Sequence, residues 1–202
     1  MTRIDIINYF IKKNNYKTYL EIGVQSGISF TAVELPIENK VGVDPDLFSK
    51  ATIHLTSDEF FEQNKKKFDI IFIDGLHEYA AVYKDIISSL LILNPGGTII
   101  CHDCNPLTKE AQQVPRIQKL WNGDCWKAWV RLAQWKGKDI IKGNLKMHVV
   151  DTDHGCGIIS LHQDNEASGL LIEDVDITYE NLEKNRKTWL NLISVEEFKQ
   201  MY

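Results

Sequence analysis

The run Tyr19-Leu20-Glu21-Ile22-Gly23-Val24-Gln25-Ser26-Gly27 carries an apolar, strand-like segment into a glycine-spaced turn, with a carboxylate just before the turn. Two glycines let the backbone turn tightly and come close to a ligand, so the spacing describes a nucleotide-type pocket where a strand hands over to a helix begun by Ser29 and Thr31. A dinucleotide fingerprint would have a glycine where Gln25 stands, to seat a pyrophosphate. Glu21 would repel that group but accept from an ammonium or a hydroxyl.

Asp44 follows Val41-Gly42-Val43 and lies 21 positions after Gly23. At that separation an acidic side chain on the neighbouring strand accepts from a ribose diol; beside Pro45 it also reads as a plain turn aspartate. Asp74 ends the apolar run Asp69 to Ile73, and His102-Asp103 ends the run Thr98 to Cys101. If those runs are neighbouring strands, about 4.8 Å apart, Asp74 and Asp103 emerge side by side and repel each other. A divalent cation resolves that repulsion, and an oxygen-rich site suits magnesium or manganese. His102 would add a nitrogen ligand or orient a ligand, shifting the preference toward manganese, iron or zinc if it binds directly. His77 sits three residues beyond Asp74 on the same rim. An imidazole with an ordinary pKa of about 6.5 can remove a hydroxyl proton at neutral pH, although a lone histidine near a helix start is more often structural.

These positions need a scaffold that brings strand ends together. Ile4, Ile6, Ile7, Phe10 and Ile11 recur at helical spacing. Strand-like runs follow at Thr18 to Ile22, Lys40 to Val43, Thr52 to Leu55, Asp69 to Ile73 and Thr98 to Cys101, with helix-like runs around Phe30, at Glu59 to Lys66 and at Tyr79 to Leu93. Interleaved short strands and helices predict an α/β, Rossmann-like doubly wound sheet, mostly parallel, whose ligands sit beyond the carboxyl ends of its strands. Asn94-Pro95-Gly96-Gly97 reads as the turn out of the long helix. Lys146 to Asp151 and Cys156 to Leu161, joined by Thr152-Asp153-His154-Gly155, predict a closing antiparallel hairpin. Glu173, Asp174 and Asp176 mark an acidic loop before helix-like runs at Tyr179 to Leu190 and Val195 to Met201.

The chain has 202 residues, 44% hydrophobic and 25% charged, which suits one domain, 1–202. A net charge of -5 argues against nucleic acid as partner, and no apolar run approaches the roughly 20 residues of a membrane span. The expected location is the cytoplasm, with Cys101, Cys104, Cys125 and Cys156 as reduced thiols. Cys101-x-x-Cys104 invites a zinc or redox reading, but Cys101 falls in an apolar strand and no second ligand pair accompanies it. Four of five tryptophans, Trp121, Trp126, Trp129 and Trp135, fall in a Trp-rich segment at about 106–137, read as core and as a substrate-side cover.

The whole set resembles the class I S-adenosylmethionine-dependent methyltransferases. The matching pieces are Leu20 to Gly27, Val41-Gly42-Val43-Asp44, Asp69 to Tyr79, Leu93 to Thr98, and His102-Asp103, covering about the first half of the chain. Ile73-Asp74-Gly75-Leu76-His77-Glu78-Tyr79 and His102-Asp103 resemble more narrowly the metal-dependent branch with macrolide-sugar O-methyltransferases, and more distantly catechol-type enzymes. The resemblance implies S-adenosylmethionine and a divalent cation as cofactors, with methyl transfer to a hydroxyl of a sugar or other small-molecule or glycan acceptor. It places the methionine part of the cofactor on Glu21 and Gly23, the ribose on Asp44 and the adenine near Ser57 and Asp58. Gly27 and Asp74 complete the cofactor set, Asp74, His102 and Asp103 the metal set, and His77 is the base. Where catechol-type enzymes place an asparagine after the second aspartate, this chain has Cys104. Thr56-Ser57-Asp58 equally reads as an N-cap with Glu59 in the first turn. Two other functions fit parts of the pattern: a nicotinamide-dependent oxidoreductase, and a non-catalytic S-adenosylmethionine-binding protein. The oligomeric state is open, a homodimer included.

Overall fold

The computed structural model describes residues 1–135, 144–162 and 176–202. Among them the element order is α1 (Arg3–Asn14), β1 (Tyr19–Ile22), α2 (Ile28–Ala32), β2 (Lys40–Val43), α3 (Ser57–Gln63), β3 (Phe68–Ile73), α4 (Tyr79–Ile92) and β4 (Leu93–Cys101). Then come α5 (Cys125–Trp135), β5 (Asn144–Val150), β6 (Cys156–His162), α6 (Tyr179–Trp189), β7 (Leu192–Ile193) and α7 (Val195–Met201). The seven strands form one sheet in the order β2-β1-β3-β4-β6-β5-β7. Only β6 runs against its neighbours, β4 and β5. The expected mostly parallel, doubly wound sheet with a closing hairpin is what the chain forms.

Alternate side chains of each strand go to opposite faces, and both faces are covered. Leu20, Ile22, Ile71, Ile73 and Ile99 join the core under α4, α5 and α6, with Val82, Ile86, Trp129 and Leu182. Tyr19, Ile70, Phe72 and Ile100 join the other core, with Ile6, Phe10, Phe30 and Phe198 from α1, α2 and α7. Trp126 and Trp129 are fully buried, as the packing reading of the Trp-rich segment expects. No helix among the described residues is long and apolar enough to cross a membrane.

Three expectations need adjustment. Thr52 to Leu55 is not a strand; it makes a single bridge, Ile53 to Val43. The amides of Thr52 and Ile53 both converge on the carbonyl of Gly42, at 3.0 and 2.9 Å, so no ladder can propagate. Asn94 to Gly97 is absorbed into β4 as an irregularity, where its register against β3 slips between Phe68 and Ile70. The two-residue β7, parallel to β5, is too short to leave a period in the sequence. Residues 136–137 of the Trp-rich segment and Glu173 and Asp174 of the acidic loop lie outside the described residues.

The carboxyl ends of β1 to β4 share one edge because their registers match. Ile22 pairs with Val43 and Ile73, and Ile73 pairs with Cys101, so the residues after each open onto the same rim. Trp129 props the sheet behind that rim, and a Cβ added at Gly157 of β6 would lie 2.6 Å from its ring. Trp129→Ala is expected to cost about 3–5 kcal/mol of unfolding free energy in urea titrations, the range for emptying a large buried aromatic site. A loss under about 1 kcal/mol would mean that the ring does not support the sheet.

Candidate active site

A cavity of about 1130 Å³ opens along this edge of the sheet. Glu21, Gly23, Asp44, Ser57, Asp58, Asp74, His77, His102 and Asp103 all line it, so the structure brings together every predicted site residue but one. Gly27 stands off the wall. It caps α2 with a left-handed φ of 77°, and its amide bonds the Val24 carbonyl at 2.8 Å.

Gly23 has φ 87°, and a Cβ there would sit 2.2 Å from the Asp74 carbonyl oxygen. Only glycine lets the β1 turn meet the β3 rim this closely. Behind it, Glu21 is 1% exposed and accepts a short hydrogen bond from the Tyr19 hydroxyl. Burial pushes its carboxyl up to about 8, against the pull of that hydrogen bond. Asp44 accepts from the Gln25 amide at 2.8 Å and the Asp46 amide at 2.9 Å, which aims its carboxylate along the cavity wall. The N-cap reading of Thr56 holds: its hydroxyl and the Glu59 carboxylate form a capping box. Ser57 and Asp58 nevertheless line the cavity, while Asp58 bonds Lys84 at 2.7 Å. Beside Ser57, the buried Asp85 carboxyl is pushed up to about 6 by desolvation.

Around the ends of β3 and β4 lies a cluster of acids and imidazoles. His102 Nδ1 is 3.2 Å from both Asp74 Oδ1 and Asp103 Oδ2. His77 Nε2 is 3.5 Å from Asp74 Oδ1, and its Nδ1 is 3.1 Å from Asp103 Oδ2. That Nδ1 is buried without an aligned hydrogen-bond partner. Burial pulls both imidazoles down, but the surrounding carboxylates outweigh it and raise them. Desolvation would raise Asp74, yet hydrogen bonds from His102 and His77 hold it at about 2. Ligand atoms of Asp74, His102 and Asp103 all lie within 4.8 Å of one another, a spacing and donor set that fit a hard divalent cation. A second group, His102, Asp153 and Cys156, is equally close. Arg3 already bonds Asp153 there at 3.0 Å, and burial pushes the Cys156 thiol up to about 12, which makes it a poor ligand. Cys101 and Cys104 are buried with raised thiol pKa values, the condition of structural thiols.

Three residues of the cluster escaped the sequence reading. Asp153 arrives on the turn after β5, and its carboxylate faces His102 Nε2 at 3.6 Å. A signal existed: β5 runs parallel to β4, so its following turn had to reach the same rim. Asn122 donates to Asp103 Oδ1 at 2.6 Å from the Trp-rich segment, and Arg3 reaches in from the first turn of α1. Neither spacing marks them in advance. The Trp-rich segment also covers His77. Trp121 stacks on the imidazole with ring centroids 5.3 Å apart and planes 11° apart, and a Cβ on Gly123 would fall 1.8 Å from the His77 carbonyl oxygen.

Known proteins resemble this chain in the same region. A family model described as a methyltransferase domain matches residues 46–104, from the turn after β2 through the end of the His102-Asp103 rim. An uncharacterised protein, R132, of Acanthamoeba polyphaga mimivirus is 26% identical over a stretch covering 51% of this chain. That stretch spans 58% of the relative's own length. Among solved structures, the O-methyltransferase from Bacillus cereus in complex with S-adenosylhomocysteine superposes with a TM-score of 0.55 at 14% identity, covering 79% of this chain and 80% of that one. MycE, a methyltransferase of the mycinamycin biosynthetic pathway solved with magnesium, S-adenosylhomocysteine and mycinamycin VI, superposes at 0.52 with 17% identity, covering 80% of this chain and 50% of that one. At these identities the superpositions establish a shared fold.

Glu21 generates a pH test of the ligand-free site. Its folded pKa of about 8 exceeds the ordinary 4.5, so between those values the folded chain holds a proton that the unfolded chain has lost. Its contribution to stability is therefore fully present below pH 4.5 and disappears as pH rises through about 8. Glu21→Gln, which keeps the shape and stays neutral, is expected to gain stability over the wild type progressively from pH 5 to about 8, read as a widening gap in urea midpoints. Parallel midpoint curves would show that Glu21 is already ionised in the empty site.

Proposed function

We propose that the chain is a class I S-adenosylmethionine-dependent methyltransferase, a reading supported by its fold and by the matched segment 46–104, and that it methylates a hydroxyl of a small-molecule or glycan acceptor with assistance from a divalent cation. The observation that carries this reading is the position of His77, between Asp74 and Asp103 at one end of a cavity whose other wall holds Glu21, Gly23 and Asp44. When bound, S-adenosylmethionine would supply an electrophilic methyl group, and a divalent cation would lower the pKa of the acceptor hydroxyl.

The chain's own groups divide the remaining work. Asp74, His102 and Asp103 would hold the cation. Glu21 and Gly23 would take the methionine part, with Glu21 ionising against its ammonium, and Asp44 would accept from the ribose hydroxyls. Ser57 and Asp58 flank the space for the adenine. His77 would accept the hydroxyl proton through its imidazole, whose Nδ1 lies 3.1 Å from Asp103 and whose Nε2 lies 3.5 Å from Asp74. A cation held by Asp74 and Asp103 would weaken the pull that raises His77 and so favour its neutral imidazole. Trp121, stacked on the ring, fixes its plane and excludes water from one face. One domain, 1–202, would do this in the cytoplasm, with the Trp-rich segment as its acceptor-side cover.

Calorimetric titration of the purified chain with S-adenosylhomocysteine is expected to give tight binding, and with NAD none; tight binding of NAD alone would sink the reading. Asp103→Ala should abolish cation-dependent methyl transfer while leaving the S-adenosylhomocysteine affinity within about threefold, and full activity in excess chelator would remove the cation from the scheme. His77→Ala should lower turnover by on the order of 10²-fold or more, with the pH profile flattened on its acid limb. A variant with the wild-type rate and profile would return His77 to a structural role.

A further inference from the structure

The mouth of the cavity on the His77 side carries charge for which the methyl transfer itself has no use. Arg3, Lys84, Arg116 and Lys119 are the cationic side chains along the wall. Two are neutralised in place: Arg3 bonds Asp153 at 3.0 Å and Lys84 bonds Asp58 at 2.7 Å. Arg116 and Lys119 have no carboxylate partner among the described residues.

Arg116 is nevertheless held still. Its Nε donates to the Gln118 carbonyl at 2.8 Å, its Nη2 donates to the Lys119 carbonyl, and the guanidinium lies 5.7 Å above the Trp121 ring. That arrangement leaves Nη1 without an acceptor, on a side chain whose rotamer freedom is already spent. An ordinary surface arginine moves freely in water; this one is a fixed donor, and the Lys119 ammonium follows it by three residues on the same wall. Trp121, on which the guanidinium rests, is the ring stacked on His77. The cationic pair therefore stands one indole away from the base. Leu76 and Leu120, 57% and 59% exposed, line the same wall with apolar surface.

Two cations on one cavity wall, without carboxylate partners among the described residues, match a phosphate, which offers several acceptor oxygens and up to two negative charges. Resting on the methyltransferase reading above, we propose that the acceptor is a phosphate-bearing sugar, its phosphate held by Arg116 and Lys119 while the hydroxyl to be methylated lies at His77. The Trp121, Leu76 and Leu120 surfaces suit the apolar face of the sugar or the group beyond the phosphate. The phosphate could come from a nucleotide-linked sugar or from a lipid-linked one.

The test is titration of the S-adenosylhomocysteine-loaded protein, with magnesium present, by methyl glucoside, glucose 1-phosphate, uridine diphosphate glucose and a short-chain prenyl diphosphate glucose. The phosphorylated probes are expected to bind at least tenfold more tightly than methyl glucoside. Arg116→Gln combined with Lys119→Gln should erase that preference while leaving S-adenosylhomocysteine and methyl glucoside binding unchanged. Asp103→Ala should retain the preference, which separates the two cations from any magnesium–phosphate contact. A gain of uridine diphosphate glucose over glucose 1-phosphate assigns the nucleotide source, and a gain of the prenyl probe assigns the lipid source. Equal binding of methyl glucoside and glucose 1-phosphate, no binding of any phosphorylated probe, or a preference that survives in the double variant overturns the proposal. Wild-type protein that fails to bind S-adenosylhomocysteine overturns the methyltransferase reading itself, and this proposal with it.

Discussion

Like-charge crowding at one edge of the sheet is the constraint around which the molecule is arranged. Parallel pairing of Ile73 with Cys101 leaves no freedom about where the next residues go, so Asp74 and Asp103 must emerge within reach of the same imidazoles. A third carboxylate, Asp153, faces the far side of His102. Carboxylates this close, partly withdrawn from water, repel strongly unless positive charge sits among them. Within the site His102, His77 and Arg3, each drawn from a different element, lie among them. The first turn of α1, the β5–β6 turn and the segment around Trp121 are thereby committed to the rim of one sheet.

The same electrostatics make the site a store of protons. The carboxylates around His77 and His102 raise their affinity for a proton, and burial raises that of Glu21. Each proton stands in for positive charge that a loaded site would carry in another form. A cation at Asp74 and Asp103 would compete with the imidazole protons, and an ammonium beside Glu21 would favour its ionised form. In the proposed scheme binding and deprotonation would be coupled.

Much of this was legible because strand ends are short-range statements. An apolar run closing on polar residues is visible at Glu21-Ile22-Gly23, Val43-Asp44, Ile73-Asp74 and Cys101-His102-Asp103, and parallel topology turns those local endings into one surface. What could not be read depends on how elements far apart in the chain meet. Arg3 looks like an ordinary first-turn residue until α1 is laid under the rim, and Asn122 has no spacing that points at Asp103. The ion pair of Asp58 with Lys84, from α3 to α4, likewise joins elements that no local spacing connects. Thr52 to Leu55 had the composition of a strand, but two amides competing for the Gly42 carbonyl left it a single bridge.

The contact between Gly123 and the backbone of His77 separates two tasks that many enzymes entangle. Because the cover is anchored through main-chain atoms, with the Asp124 amide also bonding the His77 carbonyl at 3.2 Å, the base is located by parts that carry no information about the acceptor. The side chains at 114–120 lie mostly in solvent. The proposed scheme would thus leave acceptor contacts to side chains and the position of His77 to the backbone around Gly123.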